Sequence, residues 1–176
     1  MKKITAILLA ALMVGGTLCG CTAKPEPTEP SNTGLIKPQV EENTVGAVQW
    51  ANFQQAVTAN QDGTALELAT TLSESAAELF FGSASPIEKG AEFFAGFDDY
   101  RITGYREAAV YAPMIGSIPF MGYVFILEDG VTAEAFIKSL TDNCNPRWNV
   151  CVTADQTVAG AIGNRVFFLM CPRSMG

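Results

Sequence analysis

Residues 119–140 read PFMGYVFILEDGVTAEAFIKSL, and they combine three local patterns. Residues 119–127 are apolar almost without interruption, which is typical of a strand that is central or covered on both faces. The polar residues Glu128-Asp129-Gly130 form the turn that ends this strand. Thr132 is a candidate helix N-cap, and apolar residues between 135 and 140 form the inner face of the helix that follows.

Strand patterns lie on both sides of this unit. Residues 100–112 carry β-branched and aromatic side chains, and residues 113–117 form the turn that joins them to the apolar strand. Farther along the chain, Val150 begins another strand. Ile162-Gly163-Asn164-Arg165 has the form of a two-residue hairpin turn that leads into a last strand at 166–171. The C-terminal half is therefore predicted to run strand, strand, helix, strand, strand.

The N-terminal half is predicted to be mainly helical, because its cap and stop signals recur at short intervals. The expected elements are a helix capped by Thr44 and closed at Asp62-Gly63, a strand or extended segment at 65–72, a short helix over 74–81 capped by Ser73, and a helix over 87–94 with Pro86 at its first position.

These patterns predict one α+β domain over residues 44–176. We expect two layers, with a mainly antiparallel sheet, a β-β-α-β-β C-terminal part and the N-terminal helices packed on one face.

The first residues are typical of an export signal. Met1-Lys2-Lys3 is positively charged, and residues 4–18 carry no charge but are too few to span a bilayer, which needs about 20 residues. Leu18-Cys19-Gly20-Cys21 resembles the lipobox of bacterial lipoproteins. The resemblance implies that residues 1–20 are a signal peptide, that cleavage falls between Gly20 and Cys21, and that Cys21 carries a diacylglyceryl group. An uncleaved anchor and an ordinary cleaved signal are the alternatives.

The lipid on Cys21 would make the membrane a partner of this chain, since two acyl chains hold a protein stably at a bilayer. Residues 22–43 contain four prolines, scattered acids and few aromatic side chains, so residues 21–43 are expected to be a flexible tether. Such a segment reaches roughly 70 Å as polyproline II helix and about 25–30 Å as coil.

Charge and composition exclude several function classes. The chain has 11 basic and 18 acidic residues and no histidine. A chain this acidic does not neutralise phosphates, so nucleic acid is excluded as a main partner. Without histidine, Ser-His-Asp triads and His-ligated metal sites are excluded too. The glycine-rich nucleotide-binding motifs do not occur. We predict no cofactor, no metal site and no catalytic residue.

Three thiols remain when Cys19 leaves with the signal peptide and Cys21 is acylated: Cys144, Cys151 and Cys171. Cys144 and Cys151 are a candidate disulfide pair, because a helix end and a strand can bring two Cα atoms within bonding range. Free, buried thiols are the favoured alternative.

Two further features have a structural and a functional interpretation. The acidic pairs Asp98-Asp99 and Glu128-Asp129 are expected to be solvated turn residues, although a hydrolase working through carboxylates alone would need two such acids in one cleft. Residues 111–121 form a turn rich in Met and apolar residues. We expect it to be core, and an exposed position would instead make it a recognition surface.

The C-terminal part also resembles a family of small lipoproteins of clostridia and other Gram-positive bacteria. The resemblance lies in residues 115–119, the turn at 128–130, Asn145-Pro146-Arg147, residues 150–152 and residues 162–166. It implies location and fold, and it implies no activity.

The sequence thus predicts a lipoprotein anchored to the cell membrane on its extracytoplasmic side. Its head is expected to be a non-catalytic binding or envelope-associated module with an unknown protein or small-molecule partner. The alternatives are a carboxylate-dependent hydrolase of cell-wall glycan or peptide and an accessory subunit of a transporter.

Overall fold

The computed structural model of the protein describes residues 34–149 and 151–175. Three helices and one six-stranded sheet make up this part of the chain. In chain order the elements are β1 Leu35–Ile36, α1 Val45–Ala59, α2 Ala65–Ser75, β2 Gly82–Ile87, β3 Tyr105–Pro113, β4 Met121–Leu127, α3 Ala133–Asn143, β5 Gln156–Ile162 and β6 Arg165–Cys171.

The strands lie in the order β1-β5-β6-β4-β3-β2, and every neighbouring pair is antiparallel. The apolar strand predicted at 119–127 is β4, and it lies between β3 and β6. The chain passes from β4 through α3 to β5, and β6 lies between β4 and β5 in the sheet. This unit is therefore a split β-α-β motif. The hairpin turn predicted at Gly163-Asn164 is confirmed.

Both faces of the sheet are covered, and β6 shows the division residue by residue. Phe167, Leu169 and Cys171 pack with α1 and α2 in one core, which we call the first core. Val166, Phe168 and Met170 pack in the second core, together with α3 and apolar side chains from the segment between β2 and β3. Since strand side chains alternate between faces, a strand apolar on both faces is the expected occupant of this position.

All three helices begin after a threonine cap, and the caps of α1 and α3 are the predicted ones. Thr44 Oγ1 accepts a hydrogen bond from Ala47 N at 3.2 Å at the start of α1. Thr64 and Glu67 form a capping box at the start of α2, in which each side chain bonds the backbone N–H of the other. The cap predicted at Thr132 is also confirmed.

The predicted fold class is confirmed, because the chain is α+β with an antiparallel sheet, the β-β-α-β-β order and the N-terminal helices on one face. Three local predictions in the N-terminal half need correction. Residues 65–72 belong to α2 rather than to a strand or extended segment. Ser73 lies inside that helix, which ends at Ser75, so the short helix predicted over 74–81 is wrong. Residues 82–87 form strand β2, and residues 87–94 do not form the predicted helix. Pairing with β3 overrides the local helix signal of Pro86. A proline is tolerated at this position because β2 is an edge strand.

Part of the predicted tether belongs to the folded domain. Leu35 and Ile36 pair with β5, and Gly163 N donates to Gly34 O at 3.0 Å. Glu41 forms an ion pair with Arg173. The described part of residues 21–43 is therefore held against the sheet, which the tether prediction did not foresee.

The sheet has two ends that differ in their loops. The chain enters at Gly34 beside the β5–β6 turn, and we call this end the entry end. The β3–β4 loop, the start of β2 and residues 144–149 and 151–155 lie at the opposite end, which we call the distal end. Within the described ranges, no helix is both long and apolar enough to cross a membrane.

Candidate functional site

Three exposed apolar side chains lie in two adjoining segments at the distal end of the sheet. They are Phe81, which is 82% exposed, Met114, which is 65% exposed, and Ile115, which is 73% exposed. We call these three residues the distal tip. The prediction that residues 111–121 are core is therefore wrong for the middle of the loop, whereas its two ends, Tyr111 and Phe120, are buried as expected.

Strand pairing fixes the tip. Gly82 pairs with Pro113 at the first step of the β2–β3 ladder, and Met114 N donates to Phe81 O at 3.0 Å just beyond it. The exposed Phe81 therefore lies beside the exposed β3–β4 loop, although the two are more than 30 positions apart in the chain.

Buried aromatic residues hold the base of the tip. Phe80 packs on Phe120 with ring centroids 4.5 Å apart, and Tyr111 meets Phe120 edge to face at 5.6 Å. On the other side, Asn149 Nδ2 donates to Gly116 O, which ties the loop to the segment that follows α3. The tip is thus an exposed apolar surface on a well-packed base.

A cluster of this kind differs from ordinary surface apolar residues. Single exposed apolar side chains are common in soluble proteins and need no explanation. The distal tip, in contrast, brings together three of the six large apolar side chains that are exposed within the described residues. Contiguous exposed apolar surface is typical of interaction sites.

The two acidic pairs lie at opposite ends of the sheet. The Asp98 carboxylate accepts from Asn145 Nδ2 at 3.2 and 3.0 Å, close to the distal end. Glu128 forms an ion pair with Lys89 Nζ at 2.6 Å in the turn after β4, at the entry end. Both pairs are in turns, and the structure does not bring them together into one cleft.

The three thiols differ in environment. Burial raises the pKa of the Cys171 thiol to about 12, and the nearby Asp155 carboxylate adds to this effect. Cys144 is half-buried, and desolvation raises its pKa as well. Cys151 is exposed. All three are free thiols in this structure, and the Cys144–Cys151 disulfide stays a prediction.

The outer face of α1 carries a shallow concavity of about 460 Å³. Its lining has no titratable or nucleophilic side chain other than one threonine hydroxyl, and consists of Ala51, Gln54, Gln55, Thr58 and Ala59. The Thr58 hydroxyl donates to Gln54 O at 2.7 Å within the helix. This surface offers neither acid–base groups nor a charged anchor for a ligand.

Two further points concern the predicted sites. Gly20 and Cys21, the predicted cleavage and lipidation residues, lie outside the described residues. In the part of the chain that the structure describes, no group of three or more His, Cys, Asp or Glu side chains could hold a metal ion.

Sequence reasoning missed Phe81, because it assigned this residue to the end of a helix. The signal that could have identified it is the pair Phe80-Phe81 directly before Gly82 and the serine-rich segment of β2. One of two adjacent aromatic residues at a strand start points away from the core, since successive strand side chains alternate.

Comparison of the chain with protein-family models, with curated proteins and with solved structures finds no match.

Proposed function

We propose that this protein is an extracytoplasmic lipoprotein, anchored to the cell membrane through a diacylglyceryl group on Cys21. Its folded domain is a non-catalytic module that binds a partner through the distal tip. The observation that carries the proposal is the position of the tip, which is an exposed apolar surface at the end of the sheet opposite Gly34. A chain tethered from Gly34 presents that end away from its anchor.

The arrangement of charges and acids supports binding over catalysis by carboxylates. A pair of glycosidase carboxyl groups lies about 5–9.5 Å apart across the bond that they cleave. Glu128 and Asp98 instead contact Lys89 and Asn145 at opposite ends of the sheet. The proposal therefore places function at the tip and treats these acids as structural.

The anchor is tested by fractionation and mass spectrometry of the full chain in a Gram-positive host. We expect the wild-type protein to partition with membranes and to yield an N-terminal peptide that begins at diacylated Cys21. Cys21→Ala should abolish the modification, and Cys19→Ala is the matched control that should preserve it. An unmodified Cys21 in the wild-type protein would contradict the anchor.

The binding role is tested by placing a photo-crosslinking phenylalanine analogue at position 115 of the full chain in intact cells. Phe93 is the matched control position, because it is 72% exposed but lies in the β2–β3 connection away from the tip. We expect a discrete adduct of higher mass from position 115 and none from position 93. Equal labelling at both positions, or none at either, would contradict a binding surface at the tip.

A further inference from the structure

The edge strand β2 has an open outer edge that begins at the distal tip. Its one neighbour in the sheet is β3. In an antiparallel ladder, every second residue of a strand exchanges hydrogen bonds with its neighbour. Met114 N donates to Phe81 O, so Phe81, Ser83 and Ser85 are the residues that face the neighbouring strand. Gly82 and Ala84 therefore direct their backbone N–H and C=O groups outward, and no described residue hydrogen-bonds to them.

The strand has little of the protection that edge strands usually carry. Residues 82–87 read GSASPI and contain no charged side chain, and Ser83 and Ser85 are exposed. Pro86 is the one protective residue, and it limits the open ladder to Phe81–Ser85. An incoming strand would therefore find a short ladder whose first residue belongs to the apolar tip.

The surface around this edge is acidic. Between Lys37 and Lys89 the chain contains seven acidic residues and no Lys or Arg. Three of them border β2: Glu74 and Glu78 lie on or just after α2, which packs against β2, and Glu88 follows the strand. Within the described residues, none of these three carboxylates forms an ion pair or a hydrogen bond.

We propose that the outer edge of β2 and the distal tip together bind an extended, basic segment of a partner protein. The segment adds to the sheet as a strand on Gly82 and Ala84, and an apolar side chain at its end packs on Phe81, Met114 and Ile115. Its basic side chains face Glu74, Glu78 and Glu88. Strand addition at a sheet edge is an established mode of peptide recognition. This inference rests on the proposed binding function and adds the chemistry of the partner.

The charges argue against two alternative occupants of this edge, a second copy of the chain and an anionic lipid surface. A second copy of this chain would bring the two sets of glutamates together, and Lys89, the basic residue next to Glu88, already pairs with Glu128. An anionic lipid surface would meet the same repulsion, and the tip lies at the end opposite the entry of the chain. A basic polypeptide is the occupant whose charge complements the surface.

The test uses the full chain in detergent micelles and a fluorescent peptide of about eight residues that alternates lysine and valine. Binding is followed by fluorescence anisotropy. We expect saturable binding that weakens at least about tenfold, or about 1.4 kcal/mol, in the triple variant Phe81→Ser, Met114→Ser, Ile115→Ser, since a few buried apolar anchors carry much of the binding free energy of an interface. Circular dichroism checks that the variant is folded.

A charge-reversal pair separates the acidic edge from general attraction to an acidic protein. Glu74→Lys, Glu78→Lys, Glu88→Lys should also weaken binding at least about tenfold. Asp62→Lys, Asp129→Lys, Glu134→Lys is the matched control with the same net charge, because these exposed residues lie in turns and a helix start outside α2 and β2. Equal loss in both variants would overturn the proposal.

A backbone-modified peptide tests strand addition on the wild-type protein. The same lysine–valine sequence with every backbone nitrogen methylated keeps its charge and side chains but donates no backbone hydrogen bond along either edge. We expect it not to bind measurably. Binding equal to that of the unmodified peptide would overturn the proposal.

The remaining outcomes identify the other occupants. Dimerisation of the full chain that the tip triple variant abolishes would overturn the proposal in favour of a second copy. Co-sedimentation of Cys21→Ala with phosphatidylglycerol vesicles, lost in the tip variant, would overturn it in favour of lipid. A crosslink from position 115 in cells without peptide binding would leave the proposed function standing and refute only this inference.

Discussion

Gly122 shows how one residue can be fixed by a neighbour across the sheet. It lies opposite Tyr111 in the β3–β4 ladder, and a Cβ at position 122 would collide with carbons of the tyrosine ring. The ring has no room to move away, because it packs on Phe120 and its hydroxyl hydrogen-bonds Gln49 Oε1 at 3.4 Å inside the first core. The glycine therefore lets Tyr111 lie flat on β4.

We predict that Gly122→Ala destabilises the protein by about 2 kcal/mol, the usual cost of overpacking a close-packed core. The measurement is urea unfolding followed by circular dichroism. Gly34→Ala is the matched control, because nothing lies within 4 Å of a Cβ built at Gly34. Equal stability of the two variants would show that Tyr111 can be displaced without cost.

Cys171 and Cys151 are expected to differ in reactivity, because the first thiol is buried and the second is exposed. The pKa of Cys171 is about 12, so only about one thiol in ten thousand is a reactive thiolate at pH 8, and its side chain is buried. We predict that N-ethylmaleimide labels Cys151 at least about a hundredfold faster than Cys171, as measured by mass spectrometry of digested protein. Cys151→Ser removes the fast labelling and serves as the control. Similar rates at both thiols would contradict the burial of Cys171.

At the scale of elements, the capping box of α2 couples stability to pH. Thr64 N donates to Glu67 Oε2 at 2.9 Å, and the Thr64 hydroxyl donates to the same oxygen at 3.1 Å. These bonds to the charged form lower the pKa of Glu67 from its ordinary value of 4.5. A carboxyl group whose pKa is lower in the folded than in the unfolded state increases the free energy of unfolding at pH values above its unfolded-state pKa. This contribution is lost as the pH falls through the folded-state pKa.

We therefore predict that Glu67→Gln lowers the urea midpoint at pH 7 and that its difference from the wild-type protein disappears as the pH falls through the lowered folded-state pKa of Glu67. Glu74→Gln is the matched control in the same helix. It removes a carboxylate near the C-terminal end, where a negative charge is unfavourable, so its midpoint should not fall at pH 7. A difference for Glu67→Gln that persists at low pH would show that the charge does not contribute.

The elements also show which parts of the fold the sequence determines locally. β4, α3, the β5–β6 turn and β6 are predicted because period, cap and turn signals agree within each segment, whereas the strand expected from Val150 begins only at Gln156. α2 is not predicted, because its apolar run with Thr70-Thr71 also fits a strand. β2 is not predicted either, because the helix-start signal of Pro86 competes with pairing to β3. The tip escaped prediction for the same reason. Its residues come from two segments that only this long-range pairing places side by side.

At the scale of the whole molecule, the sheet gives the domain a direction. The chain enters beside β5 at one corner, and the distal tip lies at the diagonally opposite corner, beside the open edge of β2. The helices of the first core and β2 lie in the part of the chain that has acidic residues and no basic ones. Combined with the proposed anchor at Cys21, the sheet and its acidic edge favour a partner that approaches from the side away from the membrane.

The sheet also joins the two cores into one cooperative unit, because Phe167 and Phe168 are neighbours in β6 and face opposite layers. Each core contains one tryptophan: Trp50 packs 5.9 Å from Phe167, and Trp148 packs against the second core. Single-tryptophan variants, Trp148→Phe and Trp50→Phe, therefore report on the two cores separately.

We predict that in each single-tryptophan variant the urea midpoint from fluorescence coincides with the midpoint from far-ultraviolet circular dichroism. Adding Phe167→Ala should lower stability by about 3 kcal/mol or more, the usual cost of emptying an aromatic site in a core. The loss of stability measured by Trp50 fluorescence should equal the loss measured by Trp148 fluorescence, although the Phe167 ring faces only the first core. Phe168→Ala, which changes the second core, should likewise lower both values equally. A contrary result would be that Phe167→Ala shifts the urea midpoint reported by Trp50 and leaves the midpoint reported by Trp148 unchanged. The two layers would then unfold independently of each other.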